Sequence, residues 1–125
     1  MVFNQNAVSE PERYQDPHLE VDFRSASAWL DSHRIILTRK EYALLSLLVQ
    51  NAGEIVPRGA LLWRIWGYSA QIRTRTLDVH IRRLRQKLGN YSDQYIETIF
   101  GSGYRFQPFR PEPSLRDHYR VSAVA

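Results

Sequence analysis

One stretch, TRTLDVHIRRLRQKL at residues 74–88, restricts the possible folds more than any other part of the sequence. Its aliphatic side chains recur at helical spacing, at Leu77, Ile81, Leu84 and Leu88. At about 100° per residue these positions fall within an arc of about 60°, which is narrow enough to form one buried stripe. We therefore predict a helix that packs this stripe on a core. Thr74 is its expected N-cap, and Gly89 and Asn90 follow its end.

The rest of this helix is strongly basic. Six basic residues lie between Arg73 and Leu88 with Asp78 as the one acid, although the formal net charge of the whole chain is only +4. The side opposite the stripe carries Arg75, Thr76, Val79, Arg82, Arg83 and Gln86. Solvated helix surfaces usually pair lysine with glutamate, so a face with so little acid predicts a polyanionic partner. An ordinary solvated face is the alternative.

Val79 favours duplex DNA as that partner. A β-branched valine is a mediocre helix former and gains nothing from exposure to water. In the major groove of DNA an apolar methyl can meet a thymine methyl, and guanidinium groups can bind guanine or phosphates. Val79, flanked by Thr76 and Arg83, suits that role. An anionic membrane surface is less suitable, because a helix that enters lipid needs a free apolar face and here the core takes it.

The segments before the basic helix predict a sheet followed by two helices. LEVDF, SAWL and RIIL read as antiparallel strands, with DSH as a turn. A helix is predicted over Thr38–Ala52, because Thr38 and Glu41 have the spacing of a capping box and Gly53 is placed for a left-handed C-cap. VPRGALLWRIWG predicts a shorter helix that ends at Gly67. Its apolar side carries Leu61, Leu62, Ile65 and Trp66.

The C-terminal part completes an α+β domain. YIETIFGSGYRF predicts a β-hairpin over residues 95–106 with a flexible GSG tip. Two helices, a loop, a basic helix and a hairpin give the layout of a winged helix-turn-helix. We assign residues 18–107 to this domain. Residues 1–17 are polar and proline-spaced, which predicts a linker or disordered arm, and residues 108–125 form a C-terminal tail.

Length and composition restrict the other classes of protein. A chain of 125 residues fits one domain, and without cysteine it has no disulfide, thiol nucleophile or thiolate metal site. No apolar run approaches the roughly 20 residues that cross a bilayer, and the N-terminus lacks a signal-peptide pattern. We therefore expect a cytoplasmic protein, with no membrane partner, metal or cofactor.

The sequence leaves two alternatives to DNA binding. An enzyme is disfavoured because GSG precedes a strand instead of the helix N-terminus that a phosphate site needs. Asp78 and His80 could suggest a metal site, but residues two apart point to different sides of a helix. A module that binds RNA or a protein is the second alternative, although exposed aromatic strands of the RNA-binding kind are not evident.

Four segments together resemble the effector domain of OmpR/PhoB-type response regulators: LTRKEYALLSLLVQNAGEIV, WGY, RTLDVHIRRLRQKL and YIETIFGSGYRF. The resemblance covers residues 19–106. It implies a winged helix-turn-helix with an N-terminal antiparallel sheet, a three-helix bundle and a C-terminal hairpin. It also implies a bacterial transcription factor of a two-component phosphorelay system that binds direct-repeat DNA, commonly as a head-to-tail pair.

The resemblance places functional residues on this chain by position. The base readers fall on Val79 and Arg83. The phosphate contacts fall on Trp66, Arg75, Thr76, His80, Arg82, Arg85, Thr98 and Tyr104. The tip of the wing falls on Phe100, Gly101, Ser102 and Gly103. The loop of Tyr68, Ser69, Ala70, Gln71 and Ile72 resembles the segment that family members use to approach RNA polymerase, although by composition alone it is merely a loop.

Three of these residues have a second interpretation. His80 lies near the buried edge of the helix, where a packed histidine is as consistent as a phosphate contact. Trp66 fits better as a core residue with its indole N–H at the rim. Phe100 stands where the resemblance leads us to expect arginine. Its ring either wedges into the minor groove or packs over neighbouring residues of the domain, and we favour packing.

The resemblance raises one question about the start of the chain. Family members usually carry an N-terminal receiver domain, and the residues before the first predicted strand are too few to form one. We expect either an excised effector fragment or a regulator without a receiver.

Overall fold

An antiparallel sheet opens the fold. The computed structural model describes residues 12–69 and 71–110, so the predictions for residues 1–11 and 111–125 lie outside the described residues. The four strands of this sheet lie side by side in sequence order: β1 (Arg13–Gln15), β2 (Leu19–Asp22), β3 (Ser27–Leu30) and β4 (His33–Ile35). The predicted turn between β3 and β4 is a two-residue loop in which Asp31 and Ser32 have φ of 50° and 69°. Two positive φ values in such a loop match the twist of a hairpin.

Strand β1 was not predicted, and the assignment of residues 1–17 to a linker is wrong for Arg13–Gln15. Only one apolar residue marks this strand, so its alternation is too short to recognise. Tyr14 is half-buried and meets the ring of Phe106 edge-on, at 5.4 Å between centroids. The sheet therefore extends further towards the N-terminus because tertiary packing supplies the stability that local sequence lacks.

The carboxylate of Asp16 fastens β1 to the rest of the domain. It accepts hydrogen bonds from the backbone N–H of Leu19 at 2.8 Å and from the hydroxyl of Tyr95 at 2.7 Å. It also accepts one from the N–H of Phe109 at 3.3 Å. Burial opposes ionisation, but hydrogen bonds from the hydroxyl of Tyr14, the N–H of Leu19 and the hydroxyl of Tyr95 outweigh it and hold the pKa of Asp16 below its ordinary value. Because Phe109 is half-buried against the core, packing extends beyond the predicted boundary at residue 107.

Helix α1 (Arg39–Gln50) follows the sheet and confirms the predicted capping box. The Thr38 hydroxyl accepts the N–H of Glu41 at 3.1 Å, and the Glu41 carboxylate accepts the N–H of Thr38 at 2.9 Å. The helix is shorter at its end than the predicted span to Ala52. Gly53 has the predicted left-handed backbone, with φ of 88°, and its N–H donates to the carbonyl of Phe106 at 2.8 Å.

Helix α2 begins at Arg58 and changes its winding before it ends. Its first part is α-helical over Arg58–Leu61, and the second is a π-helical turn over Leu62–Trp66. Gly67 ends it with φ of 75°, as predicted. The N-cap residue of α2 is Pro57, which makes no side-chain hydrogen bond to the first turn because proline has no polar side chain. Pro57 also ends strand β5 (Ile55–Pro57), which was not predicted.

Helix α3 (Thr76–Leu88) confirms the predicted basic helix, and its four stripe residues are all buried. Its N-cap is Arg75 instead of Thr74, without a side-chain cap. The Thr74 hydroxyl nevertheless accepts the N–H of Thr76 at 3.1 Å, so it satisfies one of the free donors at this end. A 3₁₀ turn (Gly89–Tyr91) and the short helix α4 (Ser92–Tyr95) then lead to the hairpin.

The predicted hairpin is formed by β6 (Ile96–Ile99) and β7 (Gly103–Phe106), which we call the wing. Strand β5 pairs with β7, so the wing is part of a three-stranded antiparallel sheet of order β5-β7-β6. Gly103 belongs to strand β7 and not to the turn. A Cβ atom there would lie 2.1 Å from the carbonyl oxygen of Val56, so the pairing with β5 leaves no room for a side chain.

The core lies where α1, α2 and α3 meet the two sheets. It contains the stripe of α3 together with Leu44, Leu45 and Leu48 of α1, and both sheets contribute residues to it. Within the core the rings of Phe106 and Tyr95 stack, with 5.4 Å between their centroids and 9° between their planes. Among the described helices, none is both long and apolar enough to cross a membrane.

Candidate nucleic-acid interface

The solvent side of α3 carries the residues that the sequence predicted for DNA contact. Arg75, Arg82, Arg83 and Gln86 are exposed, and Thr76 is half-buried. Val79 is 39% exposed, although it is aliphatic. Among the described residues, the ion pairs do not include Arg75, Arg82 or Arg83. This face therefore presents uncompensated positive charge around one apolar side chain.

A polar network joins α3 to α2 and to the wing. The carboxylate of Asp78 lies 2.7 Å from a guanidinium nitrogen of Arg58 and accepts the hydroxyl of Tyr104 at 3.2 Å. Arg58 also donates to the carbonyl of Thr74 at 3.3 Å, and its backbone N–H donates to Ser102 at 3.0 Å. One arginine thus connects the start of α3 with the tip of the wing.

The pKa values of this network follow from its geometry. The hydrogen bond from Arg58 holds the pKa of Asp78 below its ordinary value, and burial opposes it. Burial and the neighbouring carboxylate of Asp78 raise the pKa of Tyr104. Asp78 is therefore ionised at neutral pH and neutralises Arg58, which leaves the positive charge to the arginines on the open face.

Arg85 forms the second link between α3 and the wing. Its guanidinium donates to the carbonyl of Ile96 at 2.8 Å and to the hydroxyl of Thr98 at 2.7 Å. It also lies 5.9 Å from the centre of the Tyr104 ring. The structure therefore joins three of the predicted phosphate contacts in one cluster between helix and wing, and one terminal nitrogen of Arg85 donates both of these bonds within the fold.

Trp66 and His80 lie together at the other edge of the face. Their rings meet at 4.9 Å between centroids, and both side chains are half-buried. The Nδ1 atom of His80 lies 2.7 Å from the carbonyl oxygen of Thr76, one turn earlier on α3. Lys40 lies 5.9 Å from the centre of the Trp66 ring and places another cation there. Both residues thus pack at the rim of the face, where a phosphate contact and a packing role are compatible.

The wing tip differs from expectation at Phe100. Its side chain is 91% exposed, so the prediction that it packs over neighbouring residues is wrong. The strand ends at Ile99, and the two residues after Phe100, Gly101 and Ser102, offer no apolar side chain for its ring to cover. Gly101 has φ of 80°, the left-handed geometry that glycine tolerates, and Ser102 is exposed.

The loop after α2 presents an apolar surface beside the basic face. Tyr68 and Ile72 are both exposed, as are Ser69 and Gln71. The N–H of Ile72 donates to the carbonyl of Ser69 at 3.1 Å. Ala70, also predicted for this segment, lies outside the described residues.

Residues 32–106 match the protein-family description "Transcriptional regulatory protein, C terminal". The chain belongs to this family. The match covers α1, α2, α3 and the wing, so the basic helix and the hairpin are part of a DNA-binding domain of a transcriptional regulator. The predicted resemblance to OmpR/PhoB-type regulators is confirmed.

Relatives and solved structures agree with this family. The transcriptional regulatory protein HprR of Escherichia coli (strain K12) is 46% identical over 89 residues, which cover 70% of this chain and 40% of HprR. The response regulator DrrB of Thermotoga maritima, an OmpR/PhoB homolog, superposes on this chain with a TM-score of 0.71 at 32% identity. The superposed region covers 78% of this chain and 45% of DrrB. The chain therefore spans less than half the length of these two proteins.

A further neighbour within the family is a DNA complex. The DNA-binding domain of Klebsiella pneumoniae RstA, solved in complex with the RstA box, has a TM-score of 0.72 at 30% identity and covers 79% of this chain and 100% of that domain. The winged-helix fold predicted from the sequence is thereby confirmed.

The sequence analysis did not predict the pair of residues that joins α2 to α3 at this interface. The sequence predicted no role for Arg58, and it marked Asp78 as the single acid among many bases and as half of a disfavoured metal pair with His80. Arg58 and Asp78 lie 20 positions apart in the chain, so no local pattern connects them. The isolated acid on a basic helix was the one available signal that a cation from elsewhere must face it.

Proposed function

We propose that this chain recognises a specific duplex DNA sequence and thereby regulates transcription as the effector part of a two-component response regulator. Helix α3 enters the major groove, and the wing lies on flanking DNA. The observation that carries this proposal is the open face of α3, where arginines that form no ion pair within the described part of the chain surround the exposed Val79. A helix fits the roughly 12 Å wide major groove, and its buried stripe holds it on the core.

Within that face, Val79 and Arg83 are proposed as base readers. A guanidinium can bind guanine O6 and N7 together, and a valine methyl can meet a thymine methyl. The proposed phosphate contacts are Trp66, Arg75, Thr76, His80, Arg82, Arg85, Thr98 and Tyr104. Five of them lie on α3 or at its N-cap, and Trp66 of α2 and the wing residues Thr98 and Tyr104 lie outside it. This arrangement supports a duplex that runs across the helix and along the wing.

The proposed partners extend beyond a single DNA site. We infer that two copies bind direct repeats head to tail, and that the loop containing Tyr68 and Ile72 contacts RNA polymerase. Exposed aromatic and aliphatic side chains in a loop next to bound DNA support a protein contact there. The protein acts in the cytoplasm, where bacterial DNA lies, and its role is in binding and not in catalysis.

Salt dependence and two arginine variants test this function. Duplexes selected from a random library by the wild-type chain are titrated at several salt concentrations, and each neutralised phosphate should add about −0.9 to the log–log slope. Arg83→Ala should cost about 1–3 kcal/mol on the selected duplex and relax preference at one base pair. Arg82→Ala, the matched control, should weaken selected and scrambled duplexes alike. A slope near zero, or equal losses for both variants on both duplexes, would contradict the proposal.

A further inference from the structure

The wing ends in a side chain that its own fold leaves almost entirely in water. Phe100 is 91% exposed, against 72% for Ile36, the next most exposed large apolar side chain among the described residues. Burial of a phenyl ring stabilises a protein or complex substantially, so full exposure forgoes that gain. A ring at the tip of a hairpin that faces a proposed DNA site therefore has one obvious surface to contact.

The position of Phe100 places it next to the proposed phosphate contacts. Thr98 and Tyr104 are partners across the wing, and both reach α3, through Arg85 and Asp78 respectively. Phe100 comes two residues after Thr98, in the turn that directly follows β6. Phe100 and Arg58 line one cleft of about 340 Å³ together with Thr98 and Tyr104. The ring therefore extends the DNA face of the wing outward.

The sequence predicted a flexible GSG tip, whereas two backbone hydrogen bonds hold the tip in place. The N–H of Ser102 donates to the carbonyl of Ile99 at 2.9 Å and closes the turn, and the carbonyl of Ser102 accepts the N–H of Arg58 at 3.0 Å. Gly103 pairs with Pro57 of β5, and this pairing fixes the base of the turn against that strand. Because the backbone is ordered before binding, little conformational entropy remains to be lost when the ring is buried by a ligand.

We propose that the ring of Phe100 enters the minor groove beside the site of α3 and packs against sugars and base edges there. This inference rests on the proposed function, because the wing must lie on flanking DNA. The minor groove is about 6 Å wide, and apolar side chains occupy it in several architectural DNA-binding proteins. A neutral ring reads the shape of the groove floor, where guanine carries a 2-amino group and adenine does not. Phe100 thus favours flanking steps without that group.

Modified bases test this inference without altering the major groove. In the duplex that the wild-type chain selects from a random library, 2,6-diaminopurine replaces adenine in the flank and adds a 2-amino group to the minor groove. We expect this change to lower the affinity of the wild-type chain about ten-fold, the lower end of the effect of burying a phenylalanine side chain. Phe100→Ala should lose about as much on the unmodified duplex and be insensitive to the added amino group. Inosine in place of guanine should have the opposite effect on the wild-type chain.

Ile36→Ala is the matched control, since it removes another exposed apolar side chain in the segment after β4 and should bind all these duplexes like the wild-type chain. Thermal unfolding of Phe100→Ala should be unchanged, because the ring has almost no contacts to lose. The inference is overturned if the amino group affects wild-type and Phe100→Ala chains equally. It is also overturned if Phe100→Ala weakens binding only to direct-repeat duplexes, since the ring would then contact a second copy. If Arg83→Ala retains its loss of base preference in either case, the proposed function stands and only the role of Phe100 fails.

Discussion

Replacing Asp78 with asparagine tests whether the polar network between α3 and the wing controls the choice of DNA sequence. The substitution keeps the shape of the side chain and removes its charge. The pair of Asp78 and Arg58 is 43% and 42% exposed, so water screens it and it contributes about 0.5–1 kcal/mol to the free energy of unfolding. The Tyr104 hydroxyl can still donate to the asparagine oxygen. We therefore expect Asp78→Asn to remain folded, with a melting temperature lower by about 4–8 °C for each kcal/mol lost.

The effects on DNA binding oppose each other. Loss of an acid, and release of Arg58 from its partner, add one positive charge to the DNA face. Affinity for any duplex should rise, and the log–log salt slope should steepen by up to about 0.9. Recognition requires α3 and the wing to keep one relative position, and this constraint is weakened when Arg58 no longer binds Asp78. We expect the ratio of specific to non-specific affinity to fall about five- to ten-fold, equivalent to about 1.0–1.4 kcal/mol.

Fluorescence anisotropy titrations of the selected duplex and a scrambled duplex, at several salt concentrations, measure this ratio directly. Asp93→Asn is the matched control, because Asp93 is an exposed acid of α4 and makes the same change in net charge. It should change both affinities in parallel and leave their ratio intact. The reasoning is refuted if Asp78→Asn leaves the ratio at its wild-type value, or if Asp93→Asn lowers it equally.

Two further predictions concern the stability of the scaffold. The Glu41 carboxylate is buried and lies 2.6 Å from the Lys87 ammonium. Burial opposes the charge of the carboxylate, but the hydrogen bonds from Lys87 and from the N–H of Thr38 outweigh it and lower the pKa of Glu41 from the ordinary 4.5. Its contribution is complete above pH 4.5 and is lost as the pH falls through the folded pKa. Glu41→Gln should therefore lower the free energy of unfolding by about 1–2 kcal/mol near pH 7. Its stability, measured by urea unfolding, should also fall less on acidification than that of the wild-type chain. Equal losses of stability in the wild-type and variant chains below pH 4.5 would contradict this prediction. Gly103→Ala should cost at least about 2 kcal/mol, since its Cβ would lie 2.1 Å from the Val56 carbonyl and β5 must move. The matched change Gly101→Ala, with φ of 80° and open space, should cost only about 1–2 kcal/mol, and equal melting temperatures for the two variants would refute the steric argument.

The sequence by itself determined the features that depend on short-range periodicity and capping. The stripe of α3 predicted its buried face, and the remaining positions predicted a basic face with Val79 among the arginines. Thr38 and Glu41 located the start of α1, because a capping box joins residues only three apart. The wing followed from period-two alternation on either side of GSG. These patterns join residues that are close together in the sequence, so they can be recognised without knowledge of the tertiary structure.

The tertiary structure alone decided which distant residues meet. Strand β1 has one half-buried apolar residue, Tyr14, and its place depends on Asp16 and on the ring of Phe106 that Tyr14 meets edge-on. Arg58 and Asp78 face each other only because α2 and α3 pack together, and no spacing in the sequence encodes that contact. The exposure of Phe100 was likewise undetermined, because alternation gives the side of a strand but not whether another element covers it. Burial and long-range pairing are properties of the whole packed chain, so they become visible only when every element is in place.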